Sequence, residues 1–384
     1  MGLELDPRAP EPLFRQISRA IAGRIQSGAL KPGTTLPGSR TLAAALAVHR
    51  NTVLAAYAEL LAEGWAETSP ARGTFVSRSL PVVRPKRFTA RPALREAVPR
   101  RTGFDLRHRP EHRPTMPVAP GTLLMTGGVP DVRLLPIAEL AQAYRHALRR
   151  DAPAALGYVS PWGHMRLREA LAAQLSATRA LAARPEDVLV TRGSQMALDL
   201  AARALLQPGD IVAVENPGYR YAWEVFRQHG AKVVPIPVDE GGLDVEALEA
   251  LARRTPIRAV YTTPHHQYPT TVTLTAGRRI ALLDLAARLR FAIVEDDYDH
   301  EFHYDGRPVL PLASADREGN VVYVGTLAKI LAPGLRLGYL VAPPPLLERI
   351  AAQREHVDRC GDHVLESAVA QLLESGVVQR HVRR

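Results

Sequence analysis

At 384 residues the chain is too long for one ordinary core and suggests two or three domains, at roughly 150 residues each. Its 46% hydrophobic and 23% charged residues, the lack of an apolar run near ~18 residues or of a signal-peptide pattern, and a lone Cys360 exclude a disordered chain, a membrane protein and a disulfide scaffold, and point to a reducing, cytoplasmic compartment. The net charge of +10 is uneven: residues 1–116 hold 19 basic and 9 acidic side chains against 30 of each in the remainder, the asymmetry of a nucleic-acid-binding module joined to a neutral partner or of a solvated basic tail.

Leu13, Ile17, Ile21 and Ile25 recur every four residues and predict an amphipathic helix that Gly28, Pro32 and Gly33 stop. Ser39 is placed to cap a short helix over Arg40–Ala47, and Asn51 to cap a third helix from Asn51 to Glu63 that Gly64 ends. Trp65–Glu67 and Thr74–Ser77 read as two short strands, which completes a winged helix-turn-helix outline. A recognition helix presents its first turns to the major groove, so Arg50 and Asn51 are candidates for base or phosphate contact. Arg40 and Thr52 are candidates for positioning contacts, and Ser39, beside Arg40 at the helix start, is a further DNA-binding candidate. Arg72 and Gly73 at the hairpin tip are candidates for an adjacent minor groove; the plain alternative is a small helical domain with surface arginines.

Pro12-Leu13-Phe14-Arg15-Gln16-Ile17, Gly28-Ala29-Leu30-Lys31-Pro32-Gly33, Leu36-Pro37-Gly38-Ser39-Arg40, Arg50-Asn51-Thr52-Val53 and Gly73-Thr74-Phe75-Val76 closely resemble the GntR-type winged-helix domain, in order over residues 11–76. The resemblance implies a double-stranded DNA operator as partner.

Residues 80–120 carry eight prolines and ten basic against three acidic side chains, the composition of an extended basic linker. The linker supplies +7 of the net charge and the folded unit before it only +3. From residue 121, strand candidates (188–191, 211–215, 232–238, 259–262, 291–295, 321–325, 337–341) alternate with helical stretches such as 196–206, 244–254 and 276–289. That order predicts an α/β domain with a mostly parallel sheet. The expected division is 1–79, 80–120 and 121–384.

Lys329, one of four lysines, follows an apolar strand amid small residues, where partial desolvation suits a Schiff base with a carbonyl cofactor. Asp296 ends the strand before it, where a carboxylate can hold a protonated pyridine nitrogen; metal binding or capping by Asp296, Asp297 and Asp299 is the alternative. Gly193, Ser194 and Gln195 lie between a strand and a helix, a phosphate cradle that Thr326 and Arg336 could complete. Tyr219 offers a ring to stack on a flat cofactor.

In this order the motifs resemble a fold-type I pyridoxal-phosphate domain and, with the winged helix, the MocR/GabR subfamily of GntR regulators. The resemblance implies that Lys329 forms the Schiff base with pyridoxal 5'-phosphate, Asp296 pairs with the pyridine nitrogen, Tyr298 bonds the ring hydroxyl and Tyr219 stacks on the ring. Gly193, Ser194, Gln195, Thr326 and Arg336 would surround the phosphate. It also implies a homodimer and a small amine or amino-acid effector, with regulation favoured over turnover. An active aminotransferase carrying a DNA-binding module, and a regulator with an inert dimerisation domain, are the rival readings. Ala328 stands where relatives often carry serine, Thr271 where a glycine is usual, and Tyr221 where some carry an arginine for an effector carboxylate. Because the chain stops at His381-Val382-Arg383-Arg384, the family's C-terminal small domain and its carboxylate-gripping arginine are expected to be absent.

Overall fold

The computed structural model describes residues 3, 5–7, 9–70, 73–80, 101–105, 118–119, 121–123, 128–302 and 309–383. Two compact units divide the chain, Met1–Pro117 and Val118–Arg384. Most of the expected basic linker lies outside the described residues.

In the first unit, α1 (Leu13–Gln26), α2 (Ser39–Leu46) and α3 (Arg50–Ala62) precede a hairpin of β1 (Ala66–Ser69) and β2 (Gly73–Val76). The four-residue stripe of α1 becomes core: Ile17, Ile21 and Ile25 pack with Leu42 of α2, Val53, Ala56 and Leu60 of α3, Trp65 and Val76. Tyr57 reaches across to donate a hydrogen bond to the Pro37 carbonyl at 2.6 Å, and burial pushes its hydroxyl up to about 12. Two expected caps are corrected. Gly38, not Ser39, occupies the cap position of α2, and α3 begins one residue earlier than expected, with His49 as its cap. The His49 Nδ1 accepts from the Asn51 amide at 3.2 Å, which leaves the Asn51 side chain free of that duty.

The second unit is built on an eight-stranded sheet in the order β3-β10-β9-β8-β7-β4-β5-β6. Its strands are β3 (Val188–Thr191), β4 (Ile211–Asn216), β5 (Lys232–Asp239), β6 (Gly242–Leu243), β7 (Ala259–Thr262), β8 (Ala292–Asp297), β9 (Val321–Thr326) and β10 (Gly338–Val341). The central run from β9 through β8, β7 and β4 to β5 is parallel, as expected, while β10 runs antiparallel between β9 and β3. One face is covered by α6 (Ser194–Leu205), α7 (Arg220–Gln228) and α10 (Pro344–Val357), the other by α8 (Val245–Arg254) and α9 (Ala276–Leu289). Beside β3, α4 (Ile137–Ala155), α5 (Met165–Arg179) and α11 (His363–Glu374) enclose a further core, with α12 (Val377–Val382) at its end. Among the described residues no helix is long and apolar enough to cross a membrane.

Period-two alternation along β8 decides what its acidic end does. Asp296 and Asp297 point to opposite faces, so the aspartates that looked like one cluster are split. Asp297 faces Arg179 at 3.3 Å, His300 at 3.2 Å and the Tyr323 hydroxyl, and Arg179 also pairs with Glu301 at 2.7 Å. Burial alone would push Asp297 up, but the His300 hydrogen bond and the charges of Arg179 and His300 hold its carboxyl well below the usual range. Removing one partner of a buried pair strands the other charge. Arg179→Ala is therefore expected to cost about 3–5 kcal/mol of unfolding free energy. Chemical denaturation reads this directly, and a loss below about 1 kcal/mol would show that Arg179 is not the counter-charge.

Candidate functional site

The C-terminal ends of β3, β4, β7, β8 and β9 meet on one edge of the sheet, the edge where open α/β folds hold ligands. At β3 the chain turns into α6 through Gly193, whose φ of 80° favours glycine. A Cβ there would lie 2.9 Å from the Arg336 guanidinium, so the missing side chain is what lets Arg336 lie over the start of α6. Arg336 is fixed by a 3.0 Å hydrogen bond to the Arg192 carbonyl. Strand β10 passes just behind: a Cβ on Gly338 would lie 2.8 Å from the Ser194 nitrogen. No side chain caps α6, so its first-turn amides and the helix dipole face this spot together with a guanidinium.

Of the other expected cradle residues, Ser194 opens the helix and is half-buried. Gln195 turns its amide onto the Tyr221 carbonyl at 3.3 Å. The buried Thr326 hydroxyl lies 3.4 Å from the Leu337 carbonyl and accepts from the Ala328 amide at 3.1 Å, so it braces the loop that leads to Lys329.

Asp296 is buried. Oδ2 accepts from the Tyr261 hydroxyl at 2.8 Å, whereas Oδ1 has no hydrogen-bond partner among the described residues. Burial raises its carboxyl to about 7 against the Tyr261 hydrogen bond, with Asp297 and Asp299 adding to the rise and Lys329 opposing it. A buried acceptor of this kind costs free energy unless a donor arrives. Lys329 follows β9 and is half-buried, and its Nζ donates to the Gly128 carbonyl. Gly128 has a φ of 77°, and a Cβ there would lie 3.0 Å from that Nζ.

Tyr219 leads into α7 with its hydroxyl pushed up to about 12, first by burial and then by Asp296. Its ring meets Tyr268 edge-on at 5.6 Å, and Tyr268 meets Tyr298 edge-on at 6.4 Å. Burial also raises the Tyr298 hydroxyl. Below them the buried Glu215 accepts from the Thr262 hydroxyl at 2.6 Å, the Thr263 hydroxyl at 2.8 Å and the Gln267 amide at 3.3 Å, which ties the ends of β4 and β7 together. Sequence reasoning missed Tyr261, Gly128 and Glu215. A tyrosine inside the four-residue buried run of β7 was the one available signal, because its hydroxyl had to find a partner there.

In the first unit, Ser39 and Arg50 meet: the Ser39 Oγ accepts from the Arg50 Nε at 3.3 Å, which sets the starts of α2 and α3 side by side. Arg40, Arg50 and Asn51 are exposed there, and Thr52 is half-buried. Gly73 begins β2 with a φ of 71° and open space around it. Arg72 lies outside the described residues.

The family model for bacterial regulatory proteins of the gntR family matches residues 13–76, and that for aminotransferase class I and II matches residues 123–382. The probable rhizopine catabolism regulatory protein MocR of Rhizobium meliloti is 36% identical over all of this chain and 76% of its own length. This chain belongs to the MocR/GabR-type regulators. The pyridoxine biosynthesis regulator PdxR of Corynebacterium glutamicum is 31% identical, again over all of this chain and 78% of its own. Among solved structures, the Thermus thermophilus aminotransferase LysN, complexed with N-(5'-phosphopyridoxyl)-L-leucine, matches 67% of this chain at 32% identity and a TM-score of 0.62. The match spans 66% of LysN. A MocR-type chain is a DNA-binding transcriptional regulator whose cofactor is pyridoxal phosphate, and the pocket fits that cofactor: an orphaned acceptor for a ring N–H, an amine for an aldehyde, and a guanidinium over a helix start for a phosphate.

The Asp296 carboxyl sets a pH test in this MocR-type pocket without cofactor. Its folded pKa of about 7 exceeds the ordinary 3.8, so from pH 4 to 7 the folded state holds the proton longer than the unfolded state. Stability from this group therefore falls as pH rises, by at most about 1.4 kcal/mol per pH unit. Asp296→Asn keeps the Tyr261 hydrogen bond and removes the charge. Its melting temperature is expected to gain on the parent protein from pH 5 to about pH 7 and then to level off; a gap that does not widen below pH 7 would reject a raised carboxyl at this position.

Proposed function

We propose that this regulator adjusts its grip on a double-stranded operator in response to an amine or amino acid, or to pyridoxal phosphate itself, through Lys329. The observation that carries the reading is the orphaned, buried Oδ1 of Asp296 in the same pocket as Lys329 and the Arg336-covered start of α6. When bound, the cofactor supplies an aldehyde that bonds to amines and an electron-withdrawing ring. The rest is the work of this chain. Lys329 provides the amine, and the Gly128 carbonyl aims it. Asp296 would hold the proton on the pyridine nitrogen, Tyr298 would bond the ring hydroxyl, and Tyr219 would cover the ring. Gly193, Ser194, Gln195, Thr326 and Arg336 hold the phosphate.

On the DNA side, Arg50 and Asn51 read the major groove, Ser39, Arg40 and Thr52 position the helix on phosphates, and Arg72 and Gly73 reach the neighbouring minor groove. The units divide as a winged helix (1–79), a basic tether (80–120) and a cofactor domain (121–384). A homodimer would present two winged helices to paired half-sites.

The test is fluorescence anisotropy of the full chain on the DNA upstream of its own gene, at fixed salt. Pyridoxal phosphate, alone or with an amine, is expected to move operator affinity at least about fivefold, the lower end of ordinary allosteric coupling. Affinity indifferent to both would reduce the second unit to a scaffold.

A further inference from the structure

Four tyrosines crowd the mouth of the pocket. Tyr219 packs against Tyr221 and Tyr268, with both ring centroids at 5.6 Å, and Tyr268 packs edge-on to Tyr298 at 6.4 Å. Cofactor binding accounts for Tyr219 and Tyr298. It leaves Tyr221 and Tyr268 without a task, yet these are large rings that remain 64% and 44% exposed. They are also held in place. The Tyr221 carbonyl accepts from Gln195 at 3.3 Å. The Tyr268 amide donates to the Thr263 hydroxyl at 2.9 Å, and its carbonyl accepts from Gln267 at 2.7 Å, both braced by buried Glu215. These bonds fix the main chain that carries the two rings, so only the rings' own rotamer freedom remains to be lost when something covers them.

We infer that Tyr221 and Tyr268 form the specificity surface for the effector, and that the effector is an amine carrying an aromatic side chain. This rests on the cofactor reading above. Edge-on rings 5–7 Å apart leave faces and edges free for one more ring, and each such pair adds about 0.5–1.5 kcal/mol beyond the area it buries. A second carboxylate meets an unfavourable field: Asp296 acts on both the Tyr219 and Tyr298 hydroxyls and Asp299 on Tyr298, while Arg336, which opposes Asp296 at Tyr219, already lies over the start of α6. A second ammonium gains less, about 0.5–1 kcal/mol against an exposed ring, because it stays hydrated.

The full chain loaded with pyridoxal phosphate is titrated with L-phenylalanine, L-alanine, L-glutamate and L-lysine by calorimetry, with cofactor absorbance recorded in parallel. L-Phenylalanine is expected to bind about tenfold tighter than L-alanine or L-glutamate, with L-lysine between them. Tyr221→Ala and Tyr268→Ala should each cut the phenylalanine-to-alanine ratio about threefold while cofactor absorbance stays at the parent level, and Tyr221→Phe and Tyr268→Phe should keep the parent ratio. Equal affinities, a preference for L-glutamate or L-lysine, or alanine variants that keep the ratio would each overturn the inference and leave the cofactor reading standing. Failure of the parent chain to show cofactor absorbance at all would overturn both.

Discussion

Lys329→Ala is expected to abolish covalent capture of the cofactor. Borohydride treatment of the parent protein loaded with pyridoxal phosphate should leave one modified peptide containing Lys329, and the variant should leave none. The chain has only four lysines, so peptide mapping decides the matter cleanly. The variant should still take up cofactor weakly, because Asp296, Tyr219 and the Arg336-covered helix start remain. It should answer amines more slowly, because a free aldehyde condenses with an amine less readily than a lysine-bound one exchanges with it. The fold should be little affected, since the half-buried Nζ makes one hydrogen bond, to Gly128, of the kind worth about 1 kcal/mol. A modified peptide at another lysine, or an adduct that survives in the variant, would remove Lys329 from its assigned role.

Arg50→Ala should separate sequence reading from plain charge attraction. The side chain is exposed at the first residue of α3 and held by Ser39. If it contacts a base edge, its loss costs about 1–3 kcal/mol on the operator and much less on unrelated DNA of equal length. Alanine replacements in the tether should instead weaken both DNAs alike and flatten the salt dependence. Equal losses on both DNAs for Arg50→Ala would place the residue on phosphate, and no loss on either would move the recognition surface elsewhere.

Much of this was legible in the sequence because local periodicity carried it. The isoleucines of α1 became core at the expected spacing, and the apolar runs at 188–191, 259–262 and 321–325 became buried strands. Motifs that need one backbone conformation were also legible, Gly193 above all, since its place between a strand and a helix announced a turn. What stayed hidden depended on partners far away in the chain. Arg179 meets Asp297 across 118 positions, and Lys329 meets Gly128 across 201. The run Asp296-Asp297 was ambiguous for a related reason. Two adjacent carboxylates look alike in a sequence, and only strand alternation makes one an orphan at the pocket and the other half of a buried ion pair. Helices α4 and α5 were not singled out, although Leu140, Ala143, Tyr144 and Ala147 in α4 and Leu167, Leu171 and Leu175 in α5 recur at helical spacing; Pro153 inside α4 interrupts its pattern.

The antiparallel placement of β10 has a consequence for how the cofactor could be released. Thr326 ends β9, and Lys329 and Arg336 lie on the single connection from it to β10, which Gly338 draws tight against the start of α6. On the roles proposed above, the covalent tether and the phosphate grip would thus be two teeth of one latch. A strain that pried this connection away from α6 would loosen both at once, so release would be all-or-none, with no half-held state in which the phosphate has let go and the lysine has not.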